Sequence, residues 1–191
     1  SVSHMTGNVS LLAMSVLNWQ PGHAIYLALV ILCFTLGSLL SGLILGNSQV
    51  AFGRHYGYPL SLIGILLLLA WLSLPYFPSY GLLWACVAMG VQNAMVSHYK
   101  GAIIRTTHLS GVLTDIGLSL GYKARGLSIE NRRISLHLLI FLGFLIGGLI
   151  ASYLYSYLKL HSFLIPIGLS SSMSVAYWIF YLRSTLNSHL D

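Results

Sequence analysis

Of the chain's 191 residues, 57% are hydrophobic and only 6% charged, against roughly 25% charged in an ordinary soluble domain. A mean hydropathy of +0.82 excludes a water-soluble globule. The formal charge of +6 does not make it a nucleic-acid binder, because the bases sit in short connections between apolar runs and form no stripe with interleaved aromatics. These features predict an all-α polytopic membrane protein embedded in the lipid bilayer.

Five stretches approach the roughly 20 apolar residues a helix needs to cross a bilayer: 23–46, 58–77, 80–96, 135–158 and 163–182. Tyr and Trp gather near their ends, among them Trp19, Tyr26, Tyr58, Tyr76, Tyr80 and Trp178, as in interfacial aromatic belts. Two further apolar pieces, 9–17 and 112–122, are only about half a span long. That length predicts re-entrant or broken half-helices, for which irregular backbone at membrane depth is tolerated only inside the protein or along a cavity.

Each short piece follows a copy of one motif. His4-Met5-Thr6-Gly7-Asn8-Val9-Ser10 and His108-Leu109-Ser110-Gly111-Val112-Leu113-Thr114 share the order His, apolar, hydroxyl, Gly, any, apolar, hydroxyl. The likeness continues from Leu36-Gly37 to Gly46 and from Leu142-Gly143 to Ser152, where small residues recur at helical spacing. Such rows let helix backbones approach closely in lipid, so packing is their expected role. The chain therefore reads as a single transmembrane domain over 1–191, with repeats over about 1–79 and 80–191.

Charge placement decides how the second half-helix runs. If 112–122 turns back, Arg54, Lys100, Arg105, Lys123, Arg125, Arg132, Arg133 and Arg183 share one face and only Lys159 lies opposite. If it crosses, that bias disappears. The positive-inside rule favours the turn and puts the basic loops on the cytoplasmic side. The first motif then opens from outside and the second from inside, which predicts two inverted three-helix repeats. Inversion also asks for a helix before the first motif, matching 80–96 before the second. Since the sequence begins at Ser1 almost within the motif, the expectation is that the chain is truncated or that a partner or a further segment supplies this helix.

Asp115 is one of only three acids and stands between apolar runs, where ionisable residues are costly and commonly mark ion or substrate paths. The competing expectation is a structural acid held by Ser110, Thr114 or backbone donors at the helix start. Thr6, Gly7, Asn8, Ser110 and Gly111 suit a helix start inside the bilayer, with hydroxyls accepting from orphan amides and positive dipole ends facing a solute. Gln92 and Asn93 interrupt the run 80–96. They line the same cavity or hydrogen-bond between helices. His4 and His108 occupy equivalent places in the two motifs. The serines at 170–172 and 174 are expected to back-bond within their own helix.

Cys33 and Cys86 lie in separate apolar runs without ligand spacing, so no disulfide and no metal site is expected. No nucleophile elbow, phosphate loop or dinucleotide fingerprint occurs, so neither a cofactor nor covalent catalysis is expected.

The segments Ser3-His4-Met5-Thr6-Gly7-Asn8, Gly90-Val91-Gln92-Asn93-Ala94 and Arg105-Thr106-Thr107-His108-Leu109-Ser110-Gly111-Val112-Leu113-Thr114-Asp115 resemble the YoaK family, also called domain of unknown function 1275. These are integral membrane proteins of bacteria and fungi. The resemblance implies about six membrane helices, with an opening helix carrying an Asp-Ala pair that this sequence lacks; Asn93-Ala94 stands at the corresponding place in the second half. It also implies a bacterial plasma-membrane location and a transporter-like role.

The leading expectation is a secondary transporter for a small solute, proton- or ion-coupled, with Asp115 responsive and Thr6, Gly7, Asn8, Ser110, Gly111, Thr114, Gln92, Asn93, His4 and His108 along the path. The alternatives are a non-transporting scaffold or subunit, pairing as a homo-oligomer through the Gly-rich helices, and a membrane-embedded enzyme using His4 and His108.

Overall fold

The computed structural model describes residues 2–46, 54–97, 108–128 and 130–187, with the side chains at 54, 55, 186 and 187 left out of the description. Helices account for nearly all of it: α1 (Met5–Leu17), α2 (Pro21–Leu45), α3 (Arg54–Ser73), α4 (Pro78–Ser97), α5 (Leu109–Ala124), α6 (Asn131–Leu158) and α7 (Leu164–Asn187), with a 3-10 turn at Lys159–Phe163. All five predicted spans are helical. Three stretches are long and apolar enough to cross a membrane, Pro21–Leu45, Tyr56–Ser73 and Asn131–Thr185. The last covers 55 residues, room for two passages at 1.5 Å per residue. It is interrupted at Lys159, where φ is 49°. Helix α4 is not among the three, since Gln92 and Asn93 lower its mean hydropathy.

The chain divides into two compact units. One comprises Ser1–Ile103 with Leu160–Asp191 and holds α1–α4 and α7; the other comprises Ile104–Lys159 and holds α5 and α6.

In the first unit α4 is the central helix. Gly81, Ala85, Cys86, Ala88, Gly90 and Val91 are buried along it, and Ala88 and Val91 join Ile63, Leu66, Leu67 and Ile167 in one apolar core. A helix covered by protein on several sides can spare apolar residues that a lipid-facing helix needs, so its lower hydropathy is consistent with its place.

Small residues set its contact with α2. A Cβ on Gly37 would run into the carbonyl of Val87, and one on Gly90 into the carbonyl of Phe34, with the amide nitrogens of Val91 and Ser38 at 3.0 Å in the two cases. Ser38 Oγ donates across the crossing to the Gly90 carbonyl at 3.2 Å. The two glycines thus face each other's backbone, as the small-residue reading of α2 requires. The corresponding row on α6 differs: Gly143, Gly147 and Gly148 have open space where a Cβ would stand. Close packing is realised for one row and not for the other.

Helix α7 is tied to α3 by hydroxyls and an indole. Ser61 Oγ lies 2.8 Å from Ser174 Oγ and accepts from Trp178 Nε1 at 3.1 Å, while Tyr58 meets the Trp178 ring edge-on at 5.3 Å. The expected back-bonding holds for Ser172, which donates to Leu169, whereas Ser174 bonds between helices. Ser61→Ala removes the partner of both groups and should cost about 1 kcal/mol, read as a lower unfolding temperature in detergent. Ser172→Ala, which loses only a local bond, should leave that temperature unchanged.

Candidate functional site

The twin motifs form the first turns of α1 and α5 rather than loops before them, so both helices begin earlier than the apolar runs 9–17 and 112–122 suggested. His4 and His108 take the N-cap positions with nearly the same backbone, φ −92°, ψ 73° and φ −97°, ψ 69°. Neither makes a side-chain cap bond. Thr6 and Ser110 therefore lie within the helices, and the capping role expected of the hydroxyls is not met: the histidines hold the position that would let a hydroxyl reach the first amides.

The repeat continues through each turn. Ser10 Oγ donates to the Thr6 carbonyl at 3.2 Å, and Thr114 Oγ1 to the Ser110 carbonyl at 2.9 Å. Buried positions also correspond, Asn8 and Ser15 on α1, Val112 and Ser119 on α5. Each short helix lies against the long helix that follows it, α1 on α2 and α5 on α6. With 13 and 16 residues, they span about 20 and 24 Å, short of the roughly 30 Å hydrocarbon core.

The copies differ in detail. On α1 the His4 ring folds over Gly7, so that a Cβ there would meet it; on α5 the space beside Gly111 is open and His108 is exposed. Ser15 Oγ binds His23 Nδ1 at 2.8 Å, joining α1 to the first turn of α2.

Asp115 is held from α6, and not by its own helix start. Its Oδ2 lies 3.4 Å from His137 Nε2 and its Oδ1 4.0 Å from Arg133. Thr114, the neighbour expected to hold it, donates to backbone instead. The carboxylate is 41% exposed and Arg133 63%, but His137 only 16%. His137 Nδ1 is buried and has no hydrogen-bond partner among the described residues. Arg133 and His137 stand four residues apart, on one face of α6.

Sequence reasoning missed His137. A short connection between α5 and α6 makes the two antiparallel, so residues at similar distances from the turn meet. That pairing would have pointed from Asp115 to His137. Lys123 and Asn131 meet across the same turn, Nζ to Oδ1 at 3.3 Å.

Gln92 is exposed and Asn93 half-buried, and Asn93 Nδ2 donates to the Met89 carbonyl at 2.8 Å. His4, Thr6, Gly7, Asn8, Gln92 and Asn93 belong to the first unit, and His108, Ser110, Gly111, Thr114 and Asp115 to the second. Among the described residues no group of three or more His, Cys, Asp or Glu is placed to hold a metal ion.

A family model described as "Protein of unknown function (DUF1275)" matches residues 1–176. No curated protein and no solved structure matches the chain.

Proposed function

From the premise that this chain belongs to the DUF1275 family, we propose that it is a secondary transporter for a small solute, with Asp115 at the centre of its path. The observation that carries this reading is an acid on a helix too short to cross, bridged to a histidine and an arginine of the next helix. Broken helices in transporters bring helix starts and polar groups to the midplane, and an ionisable group there responds to a proton or ion. Two short helices with matching starts support that reading. Inversion of the repeats would let one half open outward while the other opens inward. Within the second unit the solute path would include Ser110, Gly111, Thr114 and His108 beside Asp115.

Arg133 alters what Asp115 alone suggests about the solute. A guanidinium 4.0 Å from the carboxylate gives the site both signs of charge, so it does not demand a cation. A neutral polar or anionic solute fits as well.

The experiment is solute-evoked current from proteoliposomes on a solid support, across a panel of sugars, amino acids and small organic anions under a pH gradient. At least one class should give a transient in the wild type and none in Asp115→Asn. Equal currents in the two proteins would refute the role of Asp115.

The rival reading, a non-transporting membrane subunit, draws on the open glycine row of α6, where a second copy or a partner helix could seat. It expects no solute currents and indifference to Asp115→Asn, with Gly143→Leu disrupting assembly.

A further inference from the structure

We propose that the proton-binding residue of this site is His137, with Asp115 as its counter-ion, and that protonation at Nδ1 displaces α5 relative to α6. This deepens the transporter reading by naming its coupling group. Asp115 Oδ2 sits 3.4 Å from Nε2; a neutral ring with its hydrogen on that nitrogen leaves the Nδ1 lone pair inward. Nδ1 is buried with no hydrogen-bond partner among the described residues. An unpartnered acceptor is the lesser penalty; a buried N–H on a charged ring with nothing to accept it is the greater one.

Taking a proton from water at Nδ1 turns the ring into an imidazolium while Asp115 stays a carboxylate. The new N–H has no acceptor among the described residues. The conflict is relieved when the ring turns or α5 shifts, so that Nδ1 reaches an acceptor. Proton occupancy and helix position are thereby linked, and the linkage is reciprocal.

Among the described residues of this unit, the charged groups near the ring are few. Helix α5, the element packed on α6 in this unit, presents Asp115. On α6 itself Arg133 takes the other carboxylate oxygen. Lys123 is engaged with Asn131, and Arg125, Glu130 and Arg132 belong to the turn region, exposed. Imidazole is the side chain whose ordinary charge change falls between about pH 5 and 8.

The test needs no solute. Nitroxides are placed at Leu118→Cys on α5 and Leu139→Cys on α6, both exposed, in a Cys33→Ala, Cys86→Ala background in lipid nanodiscs. Pulsed electron resonance distances are taken at about pH 8 and about pH 5. The wild-type distribution should move by about 2 Å or more on acidification, the scale of helix shifts in switching proteins. His137→Gln and His137→Phe should hold the alkaline distribution at both pH values, and that shared distance also checks their fold. An unmoved wild type, or a shift that survives in both variants, would overturn the proposal. The two readings fail separately. A His137-dependent shift without solute current removes transport and keeps the proton site, whereas Asp115-dependent current without any shift does the reverse.

Discussion

Gly90→Leu is expected to disassemble the helix bundle of the first unit, and Gly37→Leu to do the same. At both positions the atoms in the way are backbone: the carbonyls of Val87 and Phe34, backed by the amides of Val91 and Ser38. Side chains that are overpacked can change rotamer at about 1–3 kcal/mol, but a carbonyl moves only with its helix. Separating α2 from α4 also loosens Ala85, Cys86, Ala88 and Val91, all at most 2% exposed. The total should exceed about 3 kcal/mol, at the upper end for single substitutions.

Cys86, fully buried on α4, reports this directly, because a thiol dye reaches it only on opening. In a Cys33→Ala background, Gly90→Leu should label at temperatures where the parent is protected. Gly42→Leu and Gly143→Leu enter open space and should stay within about 0.5 kcal/mol of the parent. Parent-like protection in Gly90→Leu would mean that the α2–α4 crossing is not the one described.

Asp115→Asn should leave folding nearly intact and stop transport. A carboxylate 41% exposed, facing an Arg 63% exposed, is a pair of the kind that contributes about 0–1 kcal/mol. The amide keeps the shape and can still accept from His137 Nε2, but no longer offsets a charge on the ring. Loss of the negative charge should therefore reduce solute-evoked current at least about tenfold, equivalent to about 1.4 kcal/mol of coupling, with yield and melting unchanged. Asp115→Glu should recover part of the current. Unaltered current in Asp115→Asn with a normal fold would leave Asp115 a surface residue of α5.

The helical architecture was legible because its signals are long and redundant: apolar runs of span length, aromatic ends and recurrent small residues. The twin motifs were legible as a repeat, and the matching backbones of His4 and His108 give it a structural counterpart. Helix starts were less legible, since a histidine N-cap without a side-chain bond leaves no compositional mark. The fate of the two glycine rows was not legible at all. Gly37 and Gly143 look alike in sequence, and only the neighbour decides that one is packed and the other open. His137 escaped notice for a related reason. Its meaning lies in Asp115, 22 positions earlier, and emerges only when α5 and α6 fold back on one another.

The most direct test of the account is the sidedness of the ends of the segment that holds α5. Single cysteines in place of Lys100 and Ser128, in a Cys-free background in sealed oriented vesicles, are challenged with a membrane-impermeant maleimide from each side. The account predicts that both label from the same face, and that Gly111→Cys, on the exposed side of the half-helix, reacts with a small polar reagent. Labelling of Lys100→Cys and Ser128→Cys from opposite faces would make α5 a crossing helix, remove the half-helix pair, and contradict the transport path drawn through Asp115.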